Sequence, residues 1–108
     1  KKNNGVTYAE AAYGDTYGSI AEEFGLLESE ILQLNDIDNP NKLKEGDKVY
    51  LTRKKAKADK GLLVHKVKEG ETLLQIAQRY GVRMASLQKM NKLEQNASLR
   101  TDQLLRLR

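Results

Sequence analysis

Few side chains in this sequence of 108 residues could carry out covalent or proton-transfer chemistry. It contains no cysteine, so it offers no thiolate nucleophile, no thiolate metal ligand and no disulfide framework. Its single histidine is His65, so a metal site would need that imidazole together with carboxylates, and a Ser-His-Asp site would depend on it alone. We expect His65 to be a half-buried strand residue, and we predict neither a metal site nor a cofactor.

Carboxylates are plentiful, and two of them about 5–9.5 Å apart across a cleft could hydrolyse a glycosidic bond. Fifteen Asp and Glu residues are present, including the adjacent pair Glu22-Glu23. Most of them fall on the outer faces of predicted helices, and the small folding units predicted here leave no room for a deep cleft that excludes water. We therefore predict no catalytic residue in this chain.

The remaining chemistry is hydrogen bonding from the main chain at two similar triplets. Gly14-Asp15-Thr16 and Gly70-Glu71-Thr72 each come directly before an amphipathic pattern of helical period. The start of a helix leaves N–H groups unpaired, and a glycine lets a ligand approach the backbone closely. Each junction could therefore present donors to a polar ligand, although Asp15 is expected chiefly to cap the helix.

The two triplets belong to an internal repeat of 56 positions. From Tyr8 and from Val64, 44 consecutive positions align without a gap and include eight identities, among them the pairs Ile20/Ile76 and Asn35/Asn91. Most other apolar residues of the first copy align with an apolar residue of the second copy. The chain is therefore predicted to contain two copies of one fold.

Each copy has the pattern of two helices between two strands. Tyr17, Ile20, Ala21 and Phe24 form an i, i+3, i+4, i+7 stripe, which the second copy repeats from Leu73 to Tyr80. Gly25 and Gly81 are expected to close these helices in the left-handed conformation. A second stripe ends near Asn35 and Asn91, and its start lacks a good capping residue in either copy. Short strands are predicted over 6–11, 48–52, 63–68 and 104–108.

The predicted fold class is thus α+β, with two tandem βααβ modules, each a two-stranded antiparallel sheet covered by two helices. The boundaries are an N-terminal tail over 1–5, the first module over 6–52, a basic linker over 53–62 and the second module over 63–108. Glycine at 46 is replaced by Asp102 in the second copy, where a left-handed turn is still expected.

Charge and hydropathy exclude two classes of partner. The first module has ten acidic and three basic side chains, a net charge of −7, whereas the second has nine basic and four acidic, a net charge of +5. A duplex-binding protein concentrates positive charge on one folded face, so we do not expect nucleic-acid binding. Apolar runs such as 61–64 are far shorter than the ~20 residues of a membrane-spanning helix, so membrane insertion is not expected either.

The second copy carries the clearest family resemblance. His65-Lys66-Val67-Lys68-Glu69-Gly70-Glu71-Thr72-Leu73, followed by Ile76-Ala77, Tyr80-Gly81 and Met90-Asn91, resembles the LysM family signature. The first copy is similar through Gly14-Asp15-Thr16, Ser19-Ile20-Ala21, Phe24-Gly25 and Leu34-Asn35. The resemblance implies a βααβ fold that binds glycans containing N-acetylglucosamine. The leading segment and the basic linker also resemble the tail of secreted bacterial cell-wall glucosaminidases, in which a catalytic domain precedes LysM repeats.

The resemblance implies a shallow groove between each junction and the loop after the second helix. Ile37 and Leu93 would form the apolar floor, and Asn39 and Asn96 would supply side-chain partners. Tyr13 is expected to contact sugar, and Tyr17 to pack in the core as well. The predicted glycan-binding residues are Gly14, Asp15, Thr16, Tyr17, Gly18, Ile37, Asp38 and Asn39 in the first copy, and Gly70, Glu71, Thr72, Leu73, Leu93, Glu94, Gln95 and Asn96 in the second.

These expectations describe a monomeric, non-catalytic module that anchors a cell-wall enzyme to its polymer. The ligand would be peptidoglycan or a chitin-type glycan, and the chain would be secreted or held in the cell envelope as part of a longer precursor, since no secretion signal opens it. A protein-interaction or envelope scaffold module is the alternative of a different class.

Overall fold

The computed structural model describes residues 1–40, 42–94 and 97–108 of the chain. They form two compact units, Lys1–Lys54 and Lys55–Arg108, each with its own hydrophobic core. Helices and strands recur in the two units at the 56-residue spacing of the sequence repeat. This arrangement confirms the α+β class and the βααβ order of each module.

The first unit contains three strands and two helices. Their bounds are β1 Lys2–Asn3, β2 Val6–Glu10, α1 Tyr17–Glu23, α2 Glu28–Leu34 and β3 Lys48–Tyr50. The strands form one antiparallel sheet in the order β1-β2-β3, with Tyr8 opposite Tyr50 and Ala9 opposite Val49. Strand β1 lies within the predicted N-terminal tail over 1–5, so the sheet of this unit has one strand more than the sequence predicts.

The second unit has the predicted pair of strands and pair of helices. Their bounds are β4 Val64–Lys66, α3 Leu73–Tyr80, α4 Met84–Met90 and β5 Leu104–Arg106. His65 lies opposite Leu105 in the antiparallel pair, which is the register of Ala9 and Val49 in the first unit. Both strands are shorter than the runs predicted for them.

One face of each sheet is covered by its two helices. The first core is built around Ile20, Ile31 and Val49, and the second around Ile76, Leu87 and Leu105. These side chains are at most 2% exposed. The two predicted helical stripes therefore identify the buried faces, except that Phe24, predicted in the first stripe, is 46% exposed.

The helix ends follow the predicted positions with one change of residue. Thr16 and Thr72, not Asp15 and Glu71, cap the first helix of each unit, and each threonine side chain accepts the N–H of the residue three positions on. Gly25 and Gly81 have the left-handed conformation, with φ of 70° and 67°. The second helices begin at Leu27 and Arg83 without a side-chain cap, as the sequence indicates.

Several residues of the predicted linker take part in the folded units. Lys54 is 1% exposed and forms an ion pair with Asp36, with 2.7 Å between Nζ and Oδ2. Ala58 is buried in the core of the second unit, and its N–H donates to the carbonyl of Leu107. The segment from 53 to 62 thus contributes packing to both units.

Candidate functional site

A cleft of about 710 Å³ lies in the first unit between the start of α1 and the loop that leads to β3. The predicted junction supplies one wall, and the other wall comes from Pro40 and residues 42–45, mostly beyond the loop residues that the resemblance implies. The lining residues are Tyr13, Gly14, Asp15, Thr16, Tyr17, Glu28, Pro40, Lys42, Leu43, Lys44 and Glu45.

The wall at the junction is held by a compact set of local hydrogen bonds. The Thr16 hydroxyl accepts the N–H of Ser19 at 3.0 Å, and the Ser19 hydroxyl accepts the N–H of Thr16 at 2.9 Å. The Asp15 carboxylate accepts the N–H of Ala12 at 2.8 Å. Gly14 has a φ of 86°, a conformation that side chains other than glycine's rarely adopt, and there is open space where a Cβ would stand. The chain can therefore turn sharply here and leave its backbone accessible.

Aromatic and aliphatic side chains give this cleft its apolar surface. Burial of a large aromatic ring is favourable, yet Tyr13 at the rim of the cleft is 91% exposed. Tyr17 is buried and packs with the core, as predicted. Leu43 and Pro40 complete the apolar lining, whereas Ile37 packs against the core and does not line the cleft.

The remaining predicted residues of the first unit lie outside this lining. Asp38 and Asn39 are exposed, and neither borders the cleft. Gly18 lies close to α2, where the Glu28 carboxylate oxygen stands 2.8 Å from the place of a Cβ. The structure thus brings together four of the five junction residues and replaces Ile37, Asp38 and Asn39 by residues 40 and 42–45.

The loop wall is fixed at its base by the side chain of Asn35. Its amide nitrogen donates to the carbonyls of Ile31 and Tyr50, and its oxygen accepts the Tyr50 N–H at 2.7 Å. The next residue, Asp36, has a φ of 58° and binds the buried Lys54 ammonium. Burial lowers the pKa of Lys54, although the ion pair with Asp36 opposes that change. From the sequence, Asn35 is predicted only to lie at a helix end. Its hydrogen bonds to the strand are therefore not predicted.

In the second unit, the imidazole of His65 contacts the junction. The first unit has no such group, since Ala9 stands at the corresponding position. The Glu71 carboxylate accepts the N–H of Lys68 at 3.0 Å and also contacts Nε2 of His65 at 2.8 Å. Nδ1 of His65 lies 2.8 Å from the hydroxyl of Tyr80. The imidazole is only 6% exposed, so His65 is more buried than the sequence predicts, and both of its nitrogens have partners.

Glu71 is more acidic than an ordinary glutamic acid. Burial by itself works to raise the pKa of its carboxyl group, but the hydrogen bonds from His65 and from the Lys68 N–H outweigh that effect and lower the pKa. The carboxylate is therefore ionised at neutral pH. An ionised carboxylate only accepts hydrogen bonds, so Nε2 of His65 must carry the proton between them.

The other predicted residues of the second unit differ in their burial and in their position relative to the junction. Gly70 has a φ of 77° and Thr72 caps α3, so this junction has the geometry of the first. Leu73 and Leu93 are partly buried against the core, and Glu94 is exposed. Gln95 and Asn96 lie outside the described residues.

Two negative findings apply to the ranges 1–40, 42–94 and 97–108. No helix in them is long and apolar enough to cross a membrane. They also hold no group of three or more His, Cys, Asp or Glu residues close enough together to bind a metal ion.

The chain thus consists of two small βααβ units, each with a glycine before its first helix, and in the first unit this junction borders an open cleft. The LysM domain family matches residues 12–52 and 65–108, and the chain belongs to that family. This finding confirms the resemblance found in both copies.

Two relatives of this chain are named as an endolysin and an amidase. The chain is 34% identical over 86 residues to an endolysin of Bacillus phage B103, a match that covers 79% of this chain and 32% of the endolysin. It is 34% identical over 98 residues to N-acetylmuramoyl-L-alanine amidase sle1 of Staphylococcus epidermidis, covering 84% of this chain and 30% of the amidase. The chain thus spans about a third of the length of these relatives.

A solved structure is also similar. The spore cortex-lytic enzyme SleL of Bacillus cereus matches 95% of this chain and 22% of its own, with 27% identity and a TM-score of 0.42. The names of the endolysin and the amidase confirm the resemblance to the tail of a hydrolase. Neither name is that of a glucosaminidase, which is the enzyme that the sequence resemblance suggested.

Proposed function

We propose that this chain is the non-catalytic glycan-binding part of a secreted cell-wall hydrolase, and that its ligand is the N-acetylglucosamine-containing strand of peptidoglycan. The cleft of the first unit is the observation that carries the proposal, because it joins a glycine-opened helix entrance to a loop wall that combines the apolar Pro40 and Leu43 with charged side chains, in a member of the LysM family.

The chemistry of the cleft suits an acetylated amino sugar. Such a sugar offers hydroxyl groups, an acetamide with one donor and one acceptor, and an apolar ring face. Backbone groups of the junction can pair with the acetamide, while Tyr13 and Leu43 can cover the ring face. One relative is named an N-acetylmuramoyl-L-alanine amidase, and the N-acetylmuramoyl-L-alanine bond occurs in peptidoglycan and not in chitin, which favours peptidoglycan as the ligand.

The direct test is an NMR titration of the full chain with a soluble N-acetylglucosamine oligomer. Backbone amides of residues 13–17 and 42–45 are expected to shift, and the substitution Tyr13→Ala is expected to weaken binding several-fold. Phe24→Ala is the matched control, since Phe24 is also an exposed ring of the first unit but does not line this cleft. Shifts confined to residues far from the cleft, or equal effects of the two substitutions, would contradict the assignment.

The same titration examines the second unit. If both units bind, amides of residues 70–74 shift together with those of 14–17. If the second junction is silent, the first unit alone supplies the affinity for short oligomers. Either result is compatible with the proposed function and determines the number of sites.

A scaffold function is separated from glycan binding by a pull-down on intact and lysozyme-digested peptidoglycan. Retention that falls with digestion supports the glycan ligand, whereas retention that ignores digestion supports a protein partner. Replacing peptidoglycan by insoluble chitin in the same assay compares the two polymers directly. Stronger retention on peptidoglycan is the expected result.

A further inference from the structure

A second cleft, of about 340 Å³, lies in the first unit beside β2 and α1. Ala9 and Ile20 lie within an apolar part of its lining, and Asp15 borders both this cleft and the larger one. The full lining is Lys1, Thr7, Tyr8, Ala9, Glu10, Asp15, Ile20, Glu23, Phe24 and Leu51. The proposed sugar site does not use this cleft.

The second unit shows what occupies the corresponding position there. Because α1 and α3 begin 56 residues apart and the strand registers match, Ala9 corresponds to His65. The imidazole of His65 is held between the Glu71 carboxylate and the Tyr80 ring, at 2.8 Å from an oxygen of each. The ring centroids of His65 and Tyr80 are 5.4 Å apart.

The first unit keeps the surroundings of that imidazole and lacks the imidazole itself. Asp15 corresponds to Glu71, and Phe24 corresponds to Tyr80, so a carboxylate and an aromatic ring remain. Ala9 leaves vacant the volume that an imidazole side chain fills in the second unit.

The charges around the two positions are opposite. Lys66 and Arg79 of the second unit are replaced by Glu10 and Glu23, which both line the cleft of the first. With Asp15 the cleft has three carboxylates, against the Lys1 ammonium, which is paired with Glu10 at 2.6 Å, and the Lys48 ammonium, which lies 5.7 Å from the Tyr8 ring centroid. This excess of negative charge favours a cation.

We propose that this cleft binds a small planar organic cation bearing N–H donors, of the imidazolium or guanidinium class. One N–H group donates to the Asp15 carboxylate, and the flat face of the cation lies against Phe24. The same chemistry is supplied by a free small molecule or by a histidine or arginine side chain of a peptide. This proposal does not depend on the sugar-binding function.

The test is an NMR titration of the full chain with imidazole at a pH of about 6, where imidazole is largely protonated and the carboxylates are ionised. Saturable shifts are expected at Ala9, Asp15 and Phe24. Tetramethylammonium, a cation without an N–H donor, is expected to bind at least ~10-fold more weakly, since it cannot donate to Asp15.

The substitution Ala9→His is the decisive variant, because it places an imidazole on the chain in the same position as His65. It is expected to abolish the shifts caused by free imidazole while the amide spectrum stays that of a folded protein. Shifts that persist in Ala9→His, equal binding of tetramethylammonium, or no saturation in the unsubstituted protein would overturn the proposal.

A matched control comes from the second unit. His65→Ala opens the corresponding position, where Lys66 and Arg79 replace Glu10 and Glu23 and only the Glu71 carboxylate remains. Imidazole binding to the first unit is expected to weaken as the pH rises and the ring becomes neutral, whereas binding to that variant's second unit is expected to depend much less on pH, because cations surround its one carboxylate. The same pH response in both units would contradict the role given to Glu10 and Glu23.

The source of the ligand is addressed by comparing imidazole with a blocked histidine that carries amide groups on both sides. Tighter binding of the blocked histidine assigns the cleft to a peptide side chain. Tighter binding of imidazole assigns it to a free small molecule.

Discussion

Asn35 and Asn91 make the same set of hydrogen bonds in the two units. Each side-chain amide donates to a carbonyl of the preceding helix and to a strand carbonyl, and each oxygen accepts a strand N–H at 2.7 Å. Each asparagine therefore ties the end of the second helix to the last strand. A loop that begins at such a fixed point can serve as one wall of a binding cleft.

The substitution Asn35→Ala is expected to destabilise the first unit by about 1–3 kcal/mol, because it leaves buried backbone groups of Tyr50 without partners. Asn91→Ala is expected to cost less, since Arg106, its strand partner, is exposed. Urea unfolding followed by NMR signals of each unit measures both effects. Gln33→Ala, at an exposed position, is the control, and an equal loss in all three variants would show that the asparagine bonds are not responsible.

Glu71 makes the stability of the second unit depend on pH in the acidic range. Its pKa is lowered from the ordinary value of 4.5 by folding, so its contribution is fully present above that pH and is lost as the pH falls through the lower folded value. Glu71→Gln should flatten that part of the pH profile, and thermal unfolding of the second unit between pH about 5 and 2 measures it.

The matched control for this prediction is Glu69→Gln, an exposed glutamate two residues earlier in the chain. That variant should keep the acid response of the unsubstituted protein. If Glu71→Gln keeps it as well, the contacts of Glu71 with His65 and Lys68 do not determine the acid stability.

At the scale of elements, each unit is small and depends on one apolar helix face. Ile20 and Ile76 are 2% and 0% exposed. Ile20→Asp or Ile76→Asp is expected to unfold its own unit, because an unpaired buried charge costs several kcal/mol in a domain of low total stability.

The other unit is expected to remain folded in each variant, since the two cores are separate clusters. NMR spectra of both variants would show which amide signals collapse. Glu22→Asp, on the exposed side of α1, is the control for helix damage that does not involve the core. A parent-like melting curve for either Ile variant would contradict the core assignment.

The sequence predicts these elements well because the relevant forces are local. Helical periodicity, glycine at helix ends and alternation in the last strands depend on neighbouring residues, and the repeat doubles each signal. The left-handed turn at Asp102, with a φ of 70°, was also predicted, since the first copy has Gly46 there.

Features that depend on distant contacts were predicted poorly. Strand β1 forms because Lys2 and Asn3 pair with Thr7 and Val6, and no apolar alternation marks it. Ile37 is predicted from the resemblance as the apolar floor of a sugar groove, but its side chain packs against the core, and Leu43 lines the observed cleft. The partners of His65 were not predicted either, because Glu71 and Tyr80 reach it only through the fold.

At the scale of the whole molecule, two copies of one fold on one chain favour a polymeric ligand. A shallow site binds weakly, but capture of a second site on the same polymer is intramolecular and can raise apparent affinity by ~10²–10⁴. Fragments covering 1–54 and 55–108 should therefore each lose far more retention on insoluble cell wall than affinity for a short oligomer.

Sedimentation with purified walls and titration with the oligomer give the two measurements for this comparison. An unlinked equimolar mixture of the fragments is the control, because it keeps both sites and removes only their connection. Equal losses in the two assays would remove the argument from avidity.

Asp15 borders two clefts of different chemistry, and thermodynamic linkage then constrains how their occupants affect each other. If a cation at the small cleft changes the sugar affinity of the large one by some factor, the sugar must change the cation affinity by that same factor. A single carboxylate would make the first unit responsive to the ionic composition around the wall, a property that the second unit, with its own histidine already in place, does not share.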